Sequence, residues 1–141
     1  MGTDSNKKII EDLFSEVVNG QNLSATDKFI GPGYVNHGIP NAKTGPSGFK
    51  EIIQQFISAF PDLHVTQQQF IADGDTVAVR GYWTGTNKGS FIGAPASGRK
   101  VRVDYVDIWR IQNGKGVENW VQMDMLGVMQ QIGVMPVSEH A

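Results

Sequence analysis

Asp107 is set apart by its company. Val101, Val103, Tyr105, Asp107, Trp109 and Ile111 alternate with Arg102, Asp104, Val106, Ile108 and Arg110. Period two sends the two sets to opposite faces of a strand, so Asp107 shares a face that is otherwise apolar and aromatic. A carboxyl in such surroundings is either a structural group hydrogen-bonded by its neighbours or a pocket acid or base whose pKa is raised. The second role suits removal of a proton next to a carbonyl, chemistry that one positioned acid/base and polarising hydrogen bonds perform without a cofactor. Tyr105 and Trp109 flank Asp107, and Trp83 lies on the apolar face of a neighbouring strand.

A second group of candidates lies in Tyr34-Val35-Asn36-His37-Gly38-Ile39-Pro40, an extended piece dense in polar and aromatic groups. The Asn36 amide suits orienting a carbonyl or enolate, or capping its own turn. His37 is the histidine nearest a plausible site, because His64 falls at a strand entrance and His140 in the tail. It reads as a site residue or as a hydrogen-bonding surface one.

Asp107 must be positioned by a hairpin. Two runs rich in Val, Ile, Tyr and Trp flank Gln112-Asn113-Gly114-Lys115, and Asn-Gly between alternating runs is a strong hairpin signal. A two-residue turn pairs Gln112 with Lys115 and brings Trp120, Gln122 and Asp124 beside Tyr105 and Asp107. A three-residue loop with Gly114 left-handed brings Asn119, Val121 and Met123 there instead. A one-residue slip changes the face of every side chain, and both registers stay open. Asp124 is accordingly either a second candidate carboxylate or the N-cap of a closing helix, MLGVMQQIG.

The other elements are legible in order. Ile9, Ile10, Leu13, Phe14, Val17 and Val18 mark one face of an amphipathic helix, capped by Asp4 or Ser5 and ended by Gly20. Leu23 to Ile30 suggests a short helix stopped by Gly31-Pro32-Gly33. From Gly45, the residues Phe49, Ile52, Ile53, Phe56, Ile57 and Phe60 form a second long stripe ended by Pro61, and their regular spacing is that of core. Strands follow from Leu63 to Ala72 and from Thr76 to about Thr86, joined across Asp73-Gly74-Asp75. In the second of them Val77, Val79, Gly81 and Trp83 face one way and Arg80 and Tyr82 the other. Gly85 to Gly98 is a turn-rich loop at one rim of the sheet.

Composition narrows the function classes. The chain has 141 residues, the length of one domain, with 40% hydrophobic and 18% charged residues and a net charge of −2. No Lys/Arg stripe marks a nucleic-acid or membrane surface. With no cysteine, disulfides, thiolate nucleophiles and zinc ribbons are excluded. No dinucleotide or Walker spacing appears, and no His pair with a carboxylate has metal-ligand spacing, so neither cofactor nor metal is expected. No apolar run reaches the roughly 20 residues of a membrane span, and MGTDSNKK lacks a signal-peptide core; the expectation is a cytoplasmic protein acting on a small molecule.

The order of Tyr34-Val35-Asn36-His37-Gly38, Ala59-Phe60-Pro61-Asp62, Gly85-Thr86-Asn87-Lys88-Gly89, Gly114-Lys115 with Glu118 and Trp120, and Asp124-Met125-Leu126-Gly127 before Gln130-Gln131-Ile132-Gly133 resembles the SnoaL-like polyketide (ester) cyclases over nearly the whole chain. The resemblance implies an α+β cone, in which long N-terminal helices pack on a strongly curved antiparallel sheet. That is the nuclear transport factor 2-like, or cystatin-like, fold shared with ketosteroid isomerase and scytalone dehydratase. It further implies a single domain over 1–141 and a homodimer through the open sheet face. The family's founding cyclases close a ring by intramolecular aldol condensation, with a pocket Asp as acid/base and no metal or cofactor.

Carried across by residue, the family's pocket Asn falls on Asn36, its pocket Gln and His fall on Tyr105 and Asp107, and its catalytic Asp falls on Val121. That departure favours the three-residue turn. The candidate catalytic residues are Asp107 and Asp124, and the candidate substrate-binding residues are Tyr34, Asn36, His37, Trp83, Tyr105, Trp109, Trp120, Val121 and Gln122. Two readings follow: a cofactor-free cyclase, lyase or isomerase with Asp107 as base and Tyr105 and Asn36 holding the oxyanion, or a binding protein that keeps the cavity without catalysis.

Overall fold

A computed structural model describes residues 2–134, so His140 lies outside the described residues. The elements are α1 (Thr3–Leu13), a π-helical continuation (Phe14–Asn19), a 3-10 turn (Leu23–Lys28), β1 (Ile30–Asn36), α2 (Gly45–Ala59), β2 (His64–Asp73), β3 (Thr76–Thr86), β4 (Lys100–Gln112), β5 (Lys115–Met123) and α3 (Met125–Gln131). The strands form one sheet in the order β1-β5-β4-β3-β2. The helices pack on one face of this curved sheet, an α+β architecture.

The stripe Ile10, Leu13, Val17, Val18 and the stripe Phe49, Ile53 are buried against Val77, Val79, Trp83, Val103 and Trp109 of the sheet. Alternation along β3 and β4 accounts for this, since every second residue from Val101 to Ile111 is buried. Truncating a fully buried residue such as Leu13 to Ala costs about 2–5 kcal/mol at sites of this kind.

Three local features depart from the sequence expectation. The first helix does not stay α-helical to Gly20 but widens over Phe14–Asn19. Its wider turns keep Phe14, Val17 and Val18 all buried and bring Asn19 over β2, where its amide clamps Val65 through N–H and C=O at 2.7 and 2.9 Å. At its other end Asp4 and Ser5 lie within the first turn, and Gly2 occupies the cap position with no side-chain bond. Gly31-Pro32-Gly33, expected as a helix stop, belongs to β1, which pairs parallel to β5 with an irregular register. An edge strand tolerates the proline, since its missing N–H leaves no ladder bond open.

Candidate functional site

The hairpin combines the two registers expected for it. Asn113 and Gly114 both take positive φ, 53° and 75°, as a two-residue type I′ turn requires, and Gln112 pairs with Lys115. One step on, Ile111 pairs with Gly116 but Arg110 pairs with Glu118. Val117 is thus an extra residue, a β-bulge, and everything beyond it shifts by one. Asp107 therefore pairs with Val121 and Tyr105 with Met123. The turn is that of the shorter loop and the inner face is that of the longer one.

Gly116 has a packing reason to be glycine. A Cβ there would stand 2.9 Å from Cε3 and Cζ3 of Trp109, so the indole packs directly on the backbone beside the bulge. Trp109 is fully buried, stacked on Tyr34 at 5.9 Å between ring centroids and met edge-on by Phe14 at 6.3 Å.

This aromatic floor fixes the Asp107 carboxylate. Trp109 Nε1 donates to Oδ2 at 2.7 Å and Asn119 Nδ2 donates to Oδ1 at 2.9 Å. Asn119 is held in turn by Tyr34, whose hydroxyl donates to Oδ1 at 2.5 Å. Asp107 is 3% exposed, and burial pushes its pKa from the usual 3.8 to about 7, against the opposing pull of the Asn119 and Trp109 hydrogen bonds. A carboxylate has about four lone-pair positions. With one donor on each oxygen, Asp107 keeps capacity to accept a proton.

Asp107 opens onto a chamber of about 80 Å³ walled by Phe49, Ile53 and Phe56 of α2 and by Val18, Leu63 and Val65, with Asn36, Trp83, Tyr105, Trp109 and Asn119 as its other polar-bearing residues. A larger vestibule of about 610 Å³ adjoins it and shares Ile39, Ile52, Phe56, Val121 and Met123 with it. Asn36 shapes the mouth. Its Oδ1 accepts from Gly38 N at 2.7 Å and Ile39 N at 3.1 Å, which folds the following loop over β5, where a Cβ on Gly38 would collide with the Val121 carbonyl. Because the amide oxygen is used in the turn, only the amide nitrogen remains for any group in the chamber.

The structure thus brings together Asp107, Tyr105, Trp109, Trp83, Asn36 and Val121 at the chamber, with Tyr34 just behind. It does not bring the rest. Trp120 lies on the opposite face, 42% exposed and stacked on His37 at 4.9 Å. His37 pairs with Glu118 at 2.7 Å, and Arg110 holds the other Glu118 oxygen at 2.7 Å; Arg110 first and His37 second lower the Glu118 pKa. Gln122 is exposed and borders the vestibule and an outer-face groove but not the chamber. Asp124 is an exposed N-cap of α3, accepting from Gly127 N at 2.8 Å, and lines neither cavity. The bulge turns Trp120 and Gln122 outward, stacking on Trp120 and the Glu118 pair hold His37 on that outer side, and β5 ends before Asp124.

Asn119 was absent from the candidate set although it orders Asp107 and Tyr34 together. Its only signal was its place beside Asp107 in the longer register. Among the described residues no three His, Cys, Asp or Glu side chains gather as a metal site would need, and no helix is long and apolar enough to cross a membrane.

A family model described as SnoaL-like polyketide cyclase matches residues 8–132. The chain belongs to that family. The aklanonic acid methyl ester cyclase DnrD of Streptomyces peucetius is 26% identical over 131 residues, covering 86% of this chain and 89% of the relative. The aklanonic acid methyl ester cyclase DauD of Streptomyces sp. strain C5 is also 26% identical, covering 86% and 80%. Among solved structures, TsrD from Streptomyces laurentii superposes with a TM-score of 0.88 at 28% identity, covering 96% of this chain and 99% of its own. AclR from Streptomyces galilaeus, a candidate hydroxylase, reaches 0.85 at 26% identity, covering 99% and 88%. In this SnoaL-like chain, the position to which the resemblance carries the acid/base Asp is Val121, directly across the hairpin from Asp107.

Proposed function

We propose that this SnoaL-like protein is a cofactor-free cyclase in which Asp107 is the acid/base. One observation carries the reading: a fully buried carboxylate with a pKa near 7 faces an apolar chamber, its two oxygens fixed by Trp109 and Asn119. A general base works best when its pKa lies near the operating pH. The ionised carboxylate takes a proton from the carbon next to a carbonyl, and the C–H electron pair moves onto the carbonyl oxygen. Tyr105 and the Asn36 amide nitrogen hold that oxygen. The enolate carbon then forms a C–C bond to a second carbonyl of the same molecule, and protonated Asp107 returns its proton to the new alkoxide. The chamber admits the reacting end of the substrate and the vestibule takes its body.

The test is turnover of linear anthraquinone β-keto esters by the parent, Asp107→Asn and Asp124→Ala. Cyclisation by the parent and by Asp124→Ala, lost in Asp107→Asn, supports the reading. Val121 at the family's acid/base position favours a second one, a small-molecule binding protein without catalysis. Ligand capture with no cyclisation of any ester in the panel would select it.

We further propose a homodimer formed through the outer sheet face. Val106, Ile108 and Trp120 are 47%, 38% and 42% exposed there, and Ile108 and Trp120 are cross-strand partners. Sedimentation at twice the monomer mass, lost in Ile108→Lys, tests this.

A further inference from the structure

Four buried side-chain polar atoms lack a hydrogen-bond partner among the described residues: Asn6 Oδ1, Gln67 Nε2, Trp83 Nε1 and Tyr105 Oη. Asn6 sits under the β2–β3 turn, where its Nδ2 reaches Gly74 O. The other three lie at one corner of the inner sheet face, where the Gln67 amide stands close enough to the Tyr105 hydroxyl to pull down a pKa that burial raises. Gln67, Gly81 and Tyr105 are successive partners across β2, β3 and β4. Trp83 is two residues further along β3 than Gly81, on the same face as Tyr105 and diagonal to it. Gly81 has no side chain to separate them, and a Cβ there would collide with the Thr66 carbonyl. Trp83 and Tyr105 are 3% and 6% exposed and both line the chamber.

A buried donor with no partner is destabilising, so such atoms in a native fold call for a specific explanation. The three share one chemistry: an indole N–H donates only, an amide nitrogen donates only, and a phenol donates to an acceptor. Their walls are aromatic, with Phe56 and Phe60 set edge-on to Trp83 at 5.6 and 5.0 Å between centroids. We infer that Trp83 Nε1 and Tyr105 Oη, the phenol oriented by the Gln67 amide beside it, form a subsite for an acceptor-only oxygen, the carbonyl of a neutral aryl ketone or ester. An apolar wall suits a neutral carbonyl better than a carboxylate, whose charge would be desolvated close to Asp107. The inference deepens the acid/base reading by adding Trp83 to the oxygen's donors and Gln67 as the group that orients Tyr105. It places the carbonyl one sheet row from the base, since Tyr105 and Asp107 are same-face neighbours on β4.

The test compares binding of 1-indanone with that of indane, which has the same ring system without the oxygen, by ligand-observed NMR. The parent prefers the ketone. That preference falls about three- to tenfold in Trp83→Phe and in Tyr105→Phe, the scale of one neutral hydrogen bond, and falls also in Gln67→Met. The readout is the ratio of ketone to indane binding, so a change in wall shape that moves both ligands together does not count as loss of the preference. Equal binding of ketone and hydrocarbon by the parent, or a preference that survives in both Trp83→Phe and Tyr105→Phe, overturns the subsite. Asp107→Asn separates the two readings. It keeps the ketone preference if the subsite is real, whether or not Asp107 is the base.

Discussion

Asp107 and Val121 face each other across β4 and β5 as direct cross-strand partners on the chamber side of the sheet. The resemblance carries the family's acid/base to Val121, whereas this chain keeps its carboxylate one strand away. Val121→Asp would bury two carboxyls side by side, and like charges that close cannot both ionise without a strongly raised pKa. A raised carboxyl pKa loses stability as pH rises towards it. Val121→Asp is therefore expected to melt lower than the parent, and by a wider margin at pH 8 than at pH 5. In the double variant Asp107→Asn/Val121→Asp, the carboxylate is moved back across the hairpin and part of the turnover lost in Asp107→Asn returns.

Asp107 itself sets a pH dependence of stability. Its folded pKa of about 7 lies above the ordinary 3.8, so between these values the folded state binds more protons than the unfolded one. The Asp107 contribution to stability is full below the unfolded-state value of 3.8 and is lost as pH rises through 7, at up to about 1.4 kcal/mol per unit. Asp107→Asn removes this decline. Its amide still accepts from Trp109, and a flipped Asn119 can accept from it, so the variant folds at a cost of about 1 kcal/mol for the Tyr34 hydroxyl left without its acceptor. Denaturant melts at pH 4, 6 and 8 check both statements.

Asn119→Leu separates positioning from chemistry. It strips one hydrogen bond each from Tyr34 and Asp107, costing about 1–3 kcal/mol for buried groups left unpaired. The Asn119 bond favours the ionised carboxyl, so its loss raises the Asp107 pKa further. The acidic limb of the pH–rate profile is expected to move to higher pH. A stability loss with an unmoved limb would leave Asn119 a packing residue only.

Asp124→Ala removes the cap on α3. The expected effect is about 1 kcal/mol of stability, with turnover below the melting range equal to that of the parent. Turnover lost at unchanged stability would contradict the placement of Asp124 outside the site.

The sheet and both long helices were legible because their signals are local: alternation in Val101 to Ile111, the stripe from Phe49 to Phe60, and Asn-Gly at the hairpin tip. The register beyond the tip was not. It turns on one extra residue, Val117, inserted where Gly116 lets Trp109 lie against the backbone, and that contact joins residues whose neighbourhood only the fold creates. The same holds for Gly31-Pro32-Gly33, a breaker locally and a tolerated edge strand once β5 is beside it. Asp107 was readable as an isolated carboxylate on an apolar face. Asn119, which orders it, faced inward in only one of the two registers the sequence left open, and the bulge at Val117 is what selects that register beyond the tip.

The most direct test of Asp107 as base is incorporation of solvent deuterium at the α-carbon of 1-indanone, followed by NMR. The protein is expected to speed exchange, with a rate that rises as Asp107 ionises and levels off above a pH of about 7, and Asp107→Asn at matched melting temperature is expected to give none beyond the buffer rate. Exchange by Asp107→Asn at the parent's rate would show that the proton goes elsewhere.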